Sequence, residues 1–266
     1  MAEWTVDKPR RLELEADVRR VRVRIVAGDV SVTAGDGPAR LDVHGVEGEP
    51  LTVRVEDGEL SVAYGDLGWS RLLDGWRGHH RSVSLSLSVP ATAQVQLGVV
   101  SAAALVAGFA APAQVRTVSG EVTLEGLSAD VEAQSVSGDV AGHALRGSLR
   151  FETVSGELTL VDGAGPSVHA RTVSGEMTLD LEPSEAGDVR LESVSGDVVV
   201  RLPADTGANV EVRSMSGHLS SGFAGLRESR SPGSRRMDGR IGSGGGRVRV
   251  RTVSGDVAVL ARAASS

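Results

Sequence analysis

Apolar and polar residues alternate through most of this chain, and from about residue 113 to residue 260 the alternation recurs with a period. Seven copies of a Thr/Ser-Val/Met-Ser-Gly unit carry their second hydroxyl residue at Ser119, Ser137, Ser155, Ser174, Ser195, Ser216 and Ser254, giving spacings of 18, 18, 19, 21, 21 and 38 residues. A period near 20 written in β-favouring residues predicts stacked turns of a solenoid. Four residues before the Ser stand Val115, Ala133, Phe151, Ala170, Leu191, Val212 and Val250. Two before it stand Thr117, Ser135, Thr153, Thr172, Ser193, Ser214 and Thr252. Period-two alternation turns both columns inward and turns the column between them, Arg116, Gln134, Glu152, Arg171, Glu192 and Arg213, outward.

Beyond the Gly the apolar pairs Val122/Leu124, Leu158/Leu160, Val198/Val200 and Val257/Val259 return. The step from Thr117 to Val122 is odd, so strict alternation cannot hold both inside. The Val-Ser-Gly unit is therefore read as a corner, with Gly supplying a backbone conformation closed to other residues. Length variation falls on the opposite side of each repeat, for example at Glu182-Pro183-Ser184-Glu185-Ala186-Gly187. Hydroxyls of the inward Thr/Ser column are expected to bond neighbouring repeats in files, which avoids burying lone polar groups.

The first 90 residues continue the alternation at Val21-Val23-Ile25, Val30-Val32, Leu51-Val53-Val55 and Val83-Leu85-Leu87-Val89, and no helix is signalled. The expected fold is all-β, a single-stranded β-solenoid (β-helix) of about 18–21 residues per turn with irregular N-terminal rungs. Two regions follow: residues 1–90, irregular rungs with an aromatic and basic insertion at 64–81, and residues 91–266, a regular solenoid with a Gly/Arg-rich insertion at 225–246.

Composition narrows the core. Aromatics make up 3% of the chain, so the interior is filled by Val, Leu, Ala and small polar residues. There is no Cys, which removes disulfides and thiolate metal sites. A formal charge of −7 gives no general attraction to nucleic acid or anionic membrane. Residues 91–115 carry no charge, but as a membrane span they are short and broken by Gly98, Ser101, Gly108 and Pro112. Ser101 lies 18 residues before Ser119, in phase with the repeat, and no span is expected. The first twenty residues hold many charges and no apolar run of signal-peptide length, so a cytoplasmic location is expected.

Candidate chemistry is sparse. Seven equivalent Ser residues with no paired His argue against a nucleophile, and neither a catalytic residue nor a cofactor is expected. Directly after the Gly stand Glu121, Asp139, Glu157, Glu176, Asp197, His218 and Asp256. One carboxylate per repeat offers calcium no fixed cage, so Glu121, Asp139, Glu157, Glu176 and Asp197 are weak cation candidates on an exposed turn. Residues 64–81 bring Tyr64, Trp69 and Trp76 together with Arg71, Arg77, His79, His80 and Arg81, side chains of the kind that anchor interfaces, and they are the first candidates for a protein partner. They serve equally as a lid over the apolar interior. Residues 225–246 are read as a basic loop: Arg227, Arg230, Arg235, Arg236 and Arg240 against Glu228 and Asp238, or 5 − 2 = +3, able to meet phosphate or an acidic partner.

The Thr/Ser-Val-Ser-Gly-Asp/Glu-Val units, their echo at Gly28-Asp29-Val30-Ser31-Val32 and the closing Val248-Arg249-Val250-Arg251-Thr252-Val253-Ser254-Gly255-Asp256-Val257 resemble the bacterial "putative adhesin" β-strand-repeat family, a domain of unknown function, over roughly residues 12–260. The resemblance implies a β-helix with no catalytic residues to transfer, and the adhesin label implies an exported protein, which the N-terminal composition does not match. The function expected is a non-enzymatic interaction or scaffold module, adhesin-like in kind. Two alternatives are a polymerising structural β-helix similar to the bactofilins and a glycan-active β-helix enzyme, the latter weakened by a single Lys, Lys8, and by fold analogy as its only support.

Overall fold

The structure, a computed structural model, describes residues 1–15, 17–64 and 81–262. The described residues contain strands and turns and no helix. They divide into two compact units, Met1–Ala129 and Asp130–Ser266.

The first unit holds β1 (Ala2–Val6), β2 (Arg10–Leu14), β3 (Arg20–Ala34), β4 (Ala39–Glu47), β5 (Leu51–Glu56), β6 (Glu59–Tyr64), β7 (Ser82–Val89), β8 (Gln94–Ala107), β9 (Ala113–Thr117) and β10 (Val122–Glu125). Two long strands, β3 and β8, run in parallel and organise it. The first half of β3 also pairs in parallel with β6, and the second half with β7. Each half is extended by antiparallel strands: β6 carries β5 and then β1, while β7 carries β4 and then β2. On its other edge β8 pairs with β9 and β10. Val21, Val23 and Ile25 of β3 are buried on one parity and Val30 and Val32 on the other, the strand changing face around Gly28 at φ +112°. The uncharged run at 91–115 forms β8 and β9, and no helix of the described residues is long and apolar enough to cross a membrane.

The second unit holds β11 (Val131–Ser135), β12 (Val140–His143), β13 (Leu149–Glu152), β14 (Leu158–Arg171), β15 (Met177–Glu192), β16 (Val198–Pro203), β17 (Ala208–Ser214), β18 (Leu219–Ser221), β19 (Leu226–Ser231), β20 (Ser234–Ile241), β21 (Gly246–Thr252) and β22 (Val257–Arg262). One row of paired strands runs β11, β13, β14, β15, β21, β17, β20, β19. The other runs β12, β14, β15, β16, β22, β18. The long β14 and β15 take part in both.

This arrangement corrects the single-stranded solenoid expected from the period. The fold is all-β, but it is not a single-stranded solenoid: in each unit the parallel ladders carry further strands paired outside them. Within the units, two departures show why a period could not reveal this. Antiparallel pairs flank the parallel ones at β1–β5, β2–β4, β5–β6, β4–β7, β17–β20 and β19–β20. The last repeat, β21 and β22, also sits out of order: β21 lies between β15 and β17, and β22 between β16 and β18. Repeats with the same inward columns are interchangeable partners, so the sequence shows that they pair without showing which one pairs with which. A further correction concerns residues 225–246, expected to be a loop. Most of them form the antiparallel β19–β20 hairpin, turning at Pro232-Gly233 with Gly233 at φ +78°, as a Pro-Gly pair favours in a type II turn.

Candidate interaction surface

The repeated corner is the most regular feature of the second unit, and each of its residues has a distinct physical role. The glycines do not supply an unusual conformation: Gly156, Gly175, Gly196, Gly217 and Gly255 have no positive φ. They permit close approach instead. A Cβ on Gly175 would stand 1.9 Å from the Gly156 carbonyl oxygen, on Gly196 1.9 Å from that of Gly175, on Gly255 2.0 Å from that of Gly196, and on Gly217 1.9 Å from that of Gly255. The same file gives the spatial order of the repeats, with Gly255 between Gly196 and Gly217.

The inward hydroxyl two residues before the Ser closes each corner within its own repeat. Thr172 Oγ1 accepts the Gly175 N–H at 2.8 Å, Ser193 Oγ that of Gly196 at 2.8 Å, and Thr252 Oγ1 that of Gly255 at 3.0 Å. The expected files between repeats are replaced by this three-residue closure, with Ser214 Oγ reaching the preceding repeat of the stack at the Gly255 carbonyl, 3.4 Å away, as well as accepting from Gly217. In the first unit Thr117 Oγ1 is buried with no hydrogen-bond partner among the described residues. The Ser of each corner donates to the carbonyl of the Val one repeat earlier in the stack: Ser155 to Val136, Ser174 to Val154, Ser195 to Val173, Ser254 to Val194 and Ser216 to Val253, all at 3.3 Å. These hydroxyls are structural donors.

Between the two hydroxyl residues the side chain points outward. Val136, Val154, Val173, Val194, Val253 and Met215 are 43–60% exposed, and the Ser-to-carbonyl bonds place them side by side in that order. At about 4.8 Å per strand they make an apolar ridge roughly 24 Å long. Sequence reasoning absorbed these residues into the corner and overlooked the ridge. The signal was available: a residue next to an inward Thr or Ser faces out, and at this position it is apolar in every copy.

The acidic column runs three residues beyond the ridge. Here Asp and Glu are not equivalent. The Asp139 carboxylate accepts the Glu157 N–H, Asp197 that of Asp256 and Asp256 that of His218, each at 2.8 Å, whereas no such bond from Glu157 or Glu176 is present among the described residues. The shorter side chain caps the backbone of the next repeat. The bond from the His218 amide, aided by the His218 ring, holds the Asp256 carboxyl below its usual range. No three metal-ligating groups converge among the described residues.

Of the expected anchors at 64–81, Trp69, Arg71, Trp76, Arg77, His79 and His80 lie outside the described residues. Tyr64 is described, and its place corrects the expectation of an exposed anchor: it ends β6 fully buried, its hydroxyl without a partner among the described residues, and burial pushes its pKa up to about 12. Arg81 pairs with Glu49 at 2.6 Å.

Residues 49–260 match the Toastrack DUF4097 family, and the chain belongs to it. No curated protein matches the chain. Solved structures with a similar course include a "putative adhesin" from Parabacteroides distasonis (12% identity, 96% of each chain, TM-score 0.50) and a "putative adhesin" from Bacteroides fragilis (12% identity, 97% of each chain, TM-score 0.47). A "putative lipid binding protein" from Parabacteroides distasonis is similar at 12% identity over 96% of this chain and 97% of its own, with a TM-score of 0.46. At 12% identity the likeness to the Parabacteroides distasonis adhesin speaks for the fold alone.

Proposed function

We propose that the chain is a non-catalytic interaction module whose second unit docks an extended polypeptide bearing apolar and basic side chains along the corner ridge. The observation that carries this reading is the unbroken file of six exposed apolar residues from Val136 to Met215. Scattered exposed valines need no explanation, but a contiguous apolar line is what partner surfaces present. Covering the exposed half of each side chain contributes on the order of 1 kcal/mol per residue. The parallel file of Asp139, Glu157, Glu176, Asp197 and Asp256 favours a basic partner and makes association faster at low salt. Binding rather than turnover is also what the names of the adhesin neighbours describe, and it is carried to this chain as part of the same proposal.

The test compares the wild type with a Val154→Ser/Val173→Ser/Val194→Ser variant. Because the replaced side chains face solvent, both proteins are expected to melt alike. An immobilised peptide of alternating Lys and Val is expected to retain the wild type, in a manner weakened by salt, and to release the variant. Equal retention of both proteins removes the ridge from the account, and turnover of any substrate in a hydrolase and lyase panel removes the non-catalytic assignment.

A further inference from the structure

The same unit carries a second feature of opposite charge. Where the β19–β20 hairpin folds against the last corners, a cleft of about 670 Å³ opens, lined by Arg213, Arg235, Arg236 and Arg251 with hydroxyls that include Ser231 and Ser234. No carboxylate lines it, although the chain as a whole carries −7. Strand register explains the concentration of charge. Arg213 on β17 stands directly opposite Arg236 on β20 and Arg251 on β21, so three guanidinium groups lie side by side on adjacent strands. Like charges in directly opposed positions are destabilising.

The surrounding acids answer only part of this charge. Glu211 pairs with Arg213 at 2.5 Å and Arg236 at 3.6 Å, and Asp238 pairs with Arg236 at 3.0 Å. Glu192, opposite Arg251 on the neighbouring strand, lies 4.0 Å from Arg171. Asp256 and Glu228 feel Arg235 only as a minor, through-space influence. Among the described residues, neither Arg235 nor Arg251 has an ion pair within 4 Å.

We propose that this cleft is a binding site for a ligand carrying more than one phosphate-type oxyanion. Planar guanidinium forks match tetrahedral oxyanions through paired N–H donors. Ser231 and Ser234, in register across the hairpin, add hydroxyl donors at the mouth. The volume falls within the roughly 300–1,000 Å³ typical of small-molecule sites and exceeds what one phosphate fills. With strands about 4.8 Å apart, Arg251 and Arg236 stand on strands roughly 10 Å apart, a span suited to linked anionic groups. Met215, the last residue of the ridge, also borders the cleft, but the ridge variant changes neither Met215 nor any lining arginine, so either assignment can fail without the other.

Isothermal titration of the full chain with inorganic tripolyphosphate, orthophosphate and citrate tests the proposal. Tripolyphosphate is expected to bind at least about tenfold more tightly than orthophosphate or citrate. Arg235→Gln/Arg251→Gln is expected to weaken it at least about tenfold with an unchanged melting temperature, and Arg235→Lys/Arg251→Lys to fall between, since charge is kept and the fork lost. A control at Arg10 and Arg54, in the first unit, is expected to leave binding unchanged. Absence of tripolyphosphate binding at millimolar concentration, equal binding by citrate, or equal loss in the Arg10/Arg54 control would overturn the site.

Discussion

At the scale of single residues, the corner glycines show how a sequence signal can be right in position and misleading in cause. Gly was expected for its conformational freedom, yet what the site demands is the absence of a Cβ. Gly175→Ala would force its methyl to within 1.9 Å of the Gly156 oxygen, a backbone atom that can move only if the stack opens. The expected cost is about 3 kcal/mol or more, read as a lowered midpoint in urea unfolding. Gly45→Ala is the contrast: nothing lies within 4 Å of its Cβ position and its φ is not positive, so stability should stay within about 0.5 kcal/mol. A large loss at both sites, or at neither, contradicts the close-approach explanation.

Tyr64 makes a second prediction at this scale. Its folded pKa, near 12, is raised above an unfolded value near 10 because burial disfavours the phenolate. The folded state therefore holds the proton more tightly, and the associated stability is intact below pH 10 and lost as pH rises toward 12. The loss amounts to roughly 3 kcal/mol at most. Tyr64→Phe should flatten that alkaline limb and, by removing a buried hydroxyl with no partner among the described residues, leave stability at pH 7 unchanged or higher by about 1 kcal/mol. Melting curves between pH 7 and 11.5 check both parts, and an unchanged alkaline limb would place the titration elsewhere.

At the scale of elements, alternation was legible almost residue by residue. Val115, Ala133, Phe151, Leu191 and Val250 are all buried, as are most of the hydroxyl column. Strand parity is a local property of the extended backbone, so no tertiary information was needed to find it. The hairpin at 226–241 was missed because its strands are rich in Arg, Ser and Gly, which read as a solvated loop. The Pro232-Gly233 turn was its one local signal. The charged edge of β19 had no apolar period to betray it, because neither face of that strand is buried. What the expectation treated as an insertion in the repeat is the segment that carries the arginine cleft.

At the scale of the whole molecule, the out-of-order repeat decides how the second unit holds together. β21 and β22 follow the other described strands in sequence but lie within the two rows, with β21 bonded to both β15 and β17 and β22 to both β16 and β18. Ending the chain after Ile241 removes both strands and leaves four edges open where backbone groups had been paired. The expected outcome is loss of the cooperative transition of the second unit, followed by calorimetry, with the exposed edges driving aggregation. Retention of a native-like transition by the shortened chain would place the last repeat at the end of the rows instead.

The sequence by itself determined that the chain is all-β, where the strands of the repeats run, which of their side chains face inward and where each repeat turns, because those properties follow from period-two geometry and from residue type at fixed offsets. Only the tertiary structure decided the antiparallel strands beside the parallel ones and the placement of the seventh repeat between the fifth and sixth. Repeats with matching inward columns offer nearly equivalent partners, and the choice among them rests on long-range pairing that no local pattern encodes. The valine ridge lies between these cases, since parity already turned it outward and the stacking of repeats made it continuous.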